Sequence, residues 1–319
     1  MSASANNPQP TTAGLSGRER FLRAARGEQV DRPPVGAWVH FGTALADPEL
    51  TTAAHLSFLR AHDWDYLKVM HDYRVPSPDQ GTLAARLEAF ATLGTEQAGF
   101  ARQRRVLTEL RGSVPDKALV ETLFSPFQTI IRSLGQDVVP LLQADPGLAD
   151  VVIGRVAYLL ADYASGLVGL GVDALFLALT GASSDWTSFG ITAEQHRRWI
   201  APHDITVLQA AAGLVRIGHL HGDDIHPGAY DAHPHEVTSW SDAVSRPTIA
   251  EVLEAGRIPL LGLDERAASY LGTQQVHEAV LAKRREARDR IIIGPNCTLH
   301  TDTNPDVLDA LRSSVEVAL

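Results

Sequence analysis

Three side chains in this 319-residue chain are of types that bind transition metals, and their setting lets one cation gather them. His219 and His221 stand two apart at the end of an apolar run, Val215 to His221. If that run is a strand, positions i and i+2 share a face, so both imidazoles project to the same side. Gly222 follows and allows a sharp turn into the next loop. Cys297, the one cysteine, comes just after a second apolar run, Ile291-Ile292-Ile293, which Gly294-Pro295-Asn296 closes. Two imidazoles and one thiolate make three protein ligands, the number found in a catalytic zinc site that keeps a position open. Zinc there would hold the thiol deprotonated and lower the pKa of an incoming thiol or water.

Each piece has a plainer explanation when taken alone. A His-x-His pair on a strand is more often incidental, and a lone buried cysteine more often a small apolar residue. Placed together at the strand ends of one fold, the two point to a shared cation. Five of the chain's 13 histidines, His219, His221, His226, His233 and His235, fall between Gly218 and Glu236. The last three share their loop with Pro and Gly and are expected to be solvated.

The elements that must position these groups alternate. Short apolar runs predict strands at Val35–Val39, Tyr66–Met70, Ala174–Leu179, Val215–His221, Val237–Asp242, Ile258–Leu261 and Arg290–Gly294. Helical spacing predicts helices at Gly17–Arg26, Leu50–His62, Gly81–Leu110, Pro126–Leu134, Leu148–Leu170, Ala193–Ala212, Ile249–Ala255, Val276–Arg288 and Asp306–Val317. Seven or eight strands separated by helices call for parallel pairing with right-handed crossovers. A single (β/α)8 barrel suits that count, with its site at the C-terminal ends of the strands. Residues 1–16, rich in Ala, Asn, Pro, Thr and Ser, are expected to form a disordered tail, and residues 17–319 the barrel.

Bulk composition narrows the partners. With 45% hydrophobic residues the chain can bury a sizeable core. A net charge of −10 argues against nucleic acid or an anionic membrane surface as the main partner. One cysteine excludes an internal disulfide framework, so a reducing, cytoplasmic setting is expected. No apolar run was expected to span a bilayer.

Several stretches resemble the uroporphyrinogen decarboxylase superfamily: Arg18 to Trp38 (RERFLRAARGEQVDRPPVGAW), Leu123 to Gly135 (LFSPFQTIIRSLG), His219-Leu220-His221-Gly222, Gly272-Thr273, and Cys297 to Pro305 (CTLHTDTNP). The decarboxylases hold tetrapyrrole carboxylates with arginines after the Pro-Pro entry. Here that place reads Val39-His40-Phe41-Gly42-Thr43, without the charge-assisted partners a polyanion needs. The zinc-dependent methylcobamide:thiol methyltransferase branch has His-x-Cys and a distant cysteine. This chain is similar to it, with His219-x-His221 and then Cys297, so one thiolate has become an imidazole. That exchange makes iron an alternative to zinc.

The resemblance implies methyl transfer to a thiol or similar small substrate, with the methyl group coming from a corrinoid on a separate protein. It implies a central aspartate at Asp72, beside His71 after the second strand, and loop carboxylates, Asp223 among them, that orient the reactants. Asp242 is implied as a fourth ligand or as a carboxylate orienting a histidine. A homodimer is common among such proteins. The alternative readings are a decarboxylase or lyase acting on a small carboxylated substrate, with the histidines as acid and base, and a metal- or tetrapyrrole-binding protein without catalysis.

Overall fold

In a parallel sheet covered on both sides, alternate residues of each strand must satisfy two different apolar surroundings. The computed structural model of the protein describes residues 14–43, 46–70, 81–90, 92–94, 96, 98–183 and 190–319. It contains strands β1 (Tyr66–Val69), β2 (Ala118–Phe124), β3 (Ala174–Leu179), β4 (Val215–Leu220), β5 (Val237–Trp240), β6 (Ile258–Leu263) and β7 (Ile292–Pro295). All neighbouring pairs are parallel, and the spatial order follows the chain order from β1 to β7. The sheet is therefore wound in one direction, with helices as the crossovers.

Its inner face carries Tyr66, Val120, Phe176, Ile217, Val237, Leu260 and Ile292, which pack into one cluster. The intervening residues, including Leu67, Leu119, Leu175, Leu177, Leu261 and Ile293, pack outward into a larger cluster with the helices. Period two along each strand thus sorts the chain into a barrel-like interior and an outer layer.

The edge strands β1 and β7 are bridged by residues 33–39. Val35 and Val39 make isolated parallel bridges to Ile293 and Leu299. The Gly36 amide donates to Ile293 O at 3.1 Å, and the Asp65 amide to Val35 O at 2.9 Å. The expected first strand is reduced to these bridges because Pro33 and Pro34 supply no N–H groups. Asp65 fixes the segment from the side, accepting from Arg20 Nη1 and Arg32 Nη1, both at 2.6 Å, and from the Val35 amide at 2.9 Å. Gly36 and Gly294 leave room for the buried Tyr66. A Cβ on Gly36 would lie 2.7 Å from that ring, and one on Gly294 2.6 Å from its hydroxyl.

Other expectations need revision. Strand β2 was not anticipated, because Glu121 interrupts its apolar pattern; the carboxylate is buried, accepting from Gln103 Nε2 at 2.9 Å and Tyr163 Oη at 3.0 Å. The single helix expected over Gly81–Leu110 is two, Leu83–Phe90 and Ala98–Ser113. The one expected over Ala193–Ala212 contains a π-helical turn, His196–Ile200, before Ala201–Ala210. Ser16, placed in the tail by composition, caps the first helix, Gly17–Ala25, in a reciprocal pair with Glu19. The stretch Pro146–Leu170 is long and apolar enough to cross a membrane, but 56% of its apolar window is buried inside the protein. Core packing accounts for that apolarity.

Candidate functional site

Strand β4 delivers the first two groups. His219 lies on the inner face above Ile217, and His221 follows the last strand residue, with its amide donating to Leu179 O at 2.8 Å. The two rings sit 5.6 Å apart. Ser239 on β5, register partner of His219, offers its hydroxyl at 3.1 Å to the His219 Nδ1, which leaves the other ring nitrogen for the pocket. Phe176 on β3 stacks on the His219 ring at 5.0 Å and limits its rotation.

Cys297 arrives from the loop after β7. Asn296 before it is buried and takes the Gly262 amide at 3.0 Å, while its side-chain amide donates to Asp242 at 2.9 Å. The Cys297 Sγ then stands 3.8 Å from His221 Nδ1. One potential ligand atom from each of His219, His221 and Cys297 lies within 4.8 Å of the others. Donors bound to one tetrahedral zinc at ordinary bond lengths would be separated by about 3.5 Å. The group fits such an ion after a small contraction, and its imidazole–thiolate chemistry suits zinc, iron or cobalt.

Charge at the site follows from burial. Desolvation pushes the His219 imidazole below its ordinary pKa, so the ring is neutral and has a lone pair to give. His221 keeps an exposed edge at the rim, yet the surrounding protein presses its pKa down too. Burial disfavours the Cys297 thiolate, but its interactions with His219 and a hydrogen bond from the Thr298 amide together outweigh that and leave the thiol below its usual value. The three line a cavity of about 240 Å³ together with Trp38, Lys68, Thr122, Gln128, Arg132 and Phe176.

The remaining expected residues take other places. Asp242 is not gathered with the three. It pairs with Lys283 and accepts from Asn296, so it braces the residue before Cys297 and orients no histidine. Asp223 is exposed and paired with Arg266 outside the cavity. His71 and Asp72 lie outside the described residues. Two side chains went unrecognised. Glu265, just beyond β6, is mostly buried, accepts from Ser241 Oγ at 2.9 Å, and acts electrostatically on both His221 and Cys297. Its position after a strand end was the available signal. Lys68, in the middle of β1, was hidden in an apolar run.

The loop histidines also differ from expectation. His226 is exposed, but His233 and His235 are buried on the far side of β4. A Cβ on Gly218 would touch the His235 ring at 2.9 Å, so the glycine admits it. His233 Nε2 lies 3.8 Å from Asp204 Oδ2, both side chains wholly buried, with the His196 and Tyr230 rings alongside. The apolar faces of these rings and the helix Ala201–Ala210 draw the segment inward, which a Pro- and Gly-containing sequence did not suggest.

No protein-family model and no curated protein matches the chain. Among solved structures, a methyltransferase from Methanosarcina mazei superimposes with a TM-score of 0.76 over 95% of this chain and 98% of its own, at 15% identity. At that identity the likeness establishes the fold alone. A B12-independent methionine synthase from Shewanella sp. W3-18-1, in complex with selenomethionine, gives a TM-score of 0.47 at 15% identity over 67% of this chain and 65% of its own. A 2,3-dimethylmalate lyase gives 0.43 at 13% identity over 88% and 80%. The fold and the site together define an α/β protein with a sheet wound in chain order and two imidazoles and a thiol gathered at the C-terminal ends of its strands. The full-length superposition places it in the same architecture as the Methanosarcina methyltransferase.

Proposed function

We propose that the protein is a metal-dependent, methyltransferase-like enzyme that activates a thiol or similar small substrate at His219, His221 and Cys297. The observation that carries this reading is the convergence of three ligand atoms within 4.8 Å at the wall of a cavity. We read residues 33–39 as the eighth stave of a barrel, which would put the site at the end where barrel enzymes keep their chemistry. A methyltransferase of the same fold over nearly the whole chain supports the choice of reaction.

A divalent zinc or iron ion held by the three residues would lower the pKa of a substrate thiol toward neutrality. The chain's own groups do the rest. Ser239 and Phe176 keep His219 in one orientation, and Asn296, braced by Asp242, sets the approach of Cys297. Glu265 adds a negative field beside His221. The substrate sulfur, relieved of its proton, would take the methyl group from its donor as the donor's carbon–leaving-group bond breaks. A corrinoid on a separate protein suits that role. The cavity volume of about 240 Å³ favours a small thiol over a tetrapyrrole.

The test replaces the metal with cobalt(II) and titrates small thiols. A thiolate-to-cobalt absorption band that grows with thiol, and methyl transfer from a methylcobamide that chelators abolish, are the expected results. Activity on a carboxylated substrate that persists after chelation would instead favour the lyase reading.

A further inference from the structure

The cavity is polar at its rim and apolar at depth. His40 and His221 are exposed at the rim, whereas Trp38, Met70, Phe176 and Ala178 in the same wall are buried. Period two along the chain explains the inner set. Phe176 and Ala178 occupy alternate positions of β3, while Leu175, Leu177 and Leu179 face outward into the cluster with the helices. Ala178 is the small residue of this wall. It pairs in register with Phe124 on one side and with His219 on the other. Its methyl group is therefore the low point between an aromatic ring and a ligand imidazole.

The cations that border this space are already engaged. Lys68 Nζ lies 4.2 Å from the centre of the Phe176 ring and 5.1 Å from that of Trp38. The Arg132 guanidinium lies 3.9 Å from the centre of the Phe124 ring. Both side chains have further partners as well. The side-chain oxygens of Thr122 and Gln128 are buried rather than presented to the cavity. Among the described residues, the interior thus offers a ligand mainly ring faces, a thioether and the Ala178 methyl group.

We propose that the substrate is an uncharged, short-chain aliphatic thiol and that Ala178 sets the length of chain accepted. Its chain packs on Met70, Phe124 and Phe176 while its sulfur reaches His219, His221 and Cys297. Each methylene taken out of water onto such a surface strengthens binding, whereas a charged end would give up its hydration to carbon and sulfur. In a cavity of about 240 Å³ the chain cannot grow far. Ala178 is then a specificity-determining residue. The inference rests on the thiol reading above, but the apolar subsite itself does not require the metal.

Calorimetric titration of the zinc-loaded protein with ethanethiol, 1-propanethiol and 1-butanethiol tests the proposal, with 3-mercaptopropionate and 3-amino-1-propanethiol as charged counterparts. Affinity is expected to rise about fourfold per methylene along the neutral series. Butanethiol should bind at least about tenfold more tightly than either charged thiol. Ala178→Leu should cut the butanethiol-to-ethanethiol affinity ratio by at least about tenfold, since a bulkier side chain shortens the space. Ala178→Val, a smaller change, should move the ratio in the same direction if the leucine variant fails to fold. A flat neutral series, a charged thiol that binds as tightly as butanethiol, or an unchanged ratio in the folded variants would overturn the proposal. 1-Butanol, which carries the chain without the sulfur, separates the two readings. If it binds the metal-free protein more tightly than ethanol does, in an Ala178-dependent way, while no thiol prefers the zinc form, the subsite stands and the thiol reading falls. If thiols prefer the zinc form without dependence on chain length, the thiol reading stands and the subsite falls. If neither the thiols nor butanol bind, both fall.

Discussion

The two faces of β4 use histidine in opposite ways. On the inner side, His219 and His221 meet Cys297 at the wall of a cavity, with a hydroxyl and an aromatic ring holding His219 in place. On the outer side, His233, His235 and His196 are packed with Asp204 and Tyr230 under the helices, away from that cavity. Both groups come largely from one stretch of 17 residues, but His233 and His235 lie in the loop before β5, which folds back over the outer face of β4 at Gly218. Imidazole-rich sequence therefore does not by itself mark a site. What distinguishes the inner group is access to a cavity and a soft third ligand.

The sharpest way to break this contrast is to remove a ligand. Cys297→Ala and His219→Ala should each abolish metal retention and lower methyl transfer by more than about a hundredfold, beyond what outer partners contribute. Thermal unfolding of the metal-free variants should be nearly unchanged. Ser239→Ala comes next. Losing the partner of His219 Nδ1 should weaken metal affinity by about 10- to 100-fold, read by competition with a chelator.

The outer group should respond in stability. Asp204→Leu leaves His233 buried without its partner and should cost about 2–3 kcal/mol in denaturant unfolding. Adding His233→Phe should recover most of that loss, since an apolar pair often replaces a buried polar one without penalty. Metal content should stay constant throughout. A metal loss in these variants would erase the distinction between the two faces.

A smaller effect sharpens the contrast through pH. Burial pushes His196 down to about 4 and His235 down to about 3, while it pushes Asp204 up to about 6. Between pH 6.5 and 4 the unfolded chain therefore binds more protons at the two histidines, and the folded chain more at Asp204 below about 6. Two depressed groups outweigh one raised group, so stability should fall as the pH drops through this window, at about 1 kcal/mol per unit. His235→Gln should flatten the slope. A stability that rises on acidification would contradict the arrangement.

How much of this was legible depends on the residue. Strands β3, β4 and β6 were readable because their apolar runs are short, unbroken and bounded by turns. The shared face of His219 and His221 followed from strand period alone, and Cys297 from its place after an apolar strand. β2 was hidden because Glu121 is satisfied by Gln103 and Tyr163, contacts distant in sequence. Lys68 escaped for the related reason that its compensating groups, Trp38 and Phe176, come from other parts of the chain. Asp242 looked like a ligand by position, but Lys283 and Asn296 claim it, and neither pairing has a local sequence signal.

The central claim is tested most directly by elemental analysis of the untagged protein after gel filtration, with anomalous scattering at the zinc and iron edges in crystals. One divalent ion per chain between His219, His221 and Cys297, lost in Cys297→Ala and retained in the Asp204→Leu, His233→Phe double variant, is the predicted result. A protein without stoichiometric metal, or an ion that survives loss of Cys297 and lies elsewhere, would contradict it.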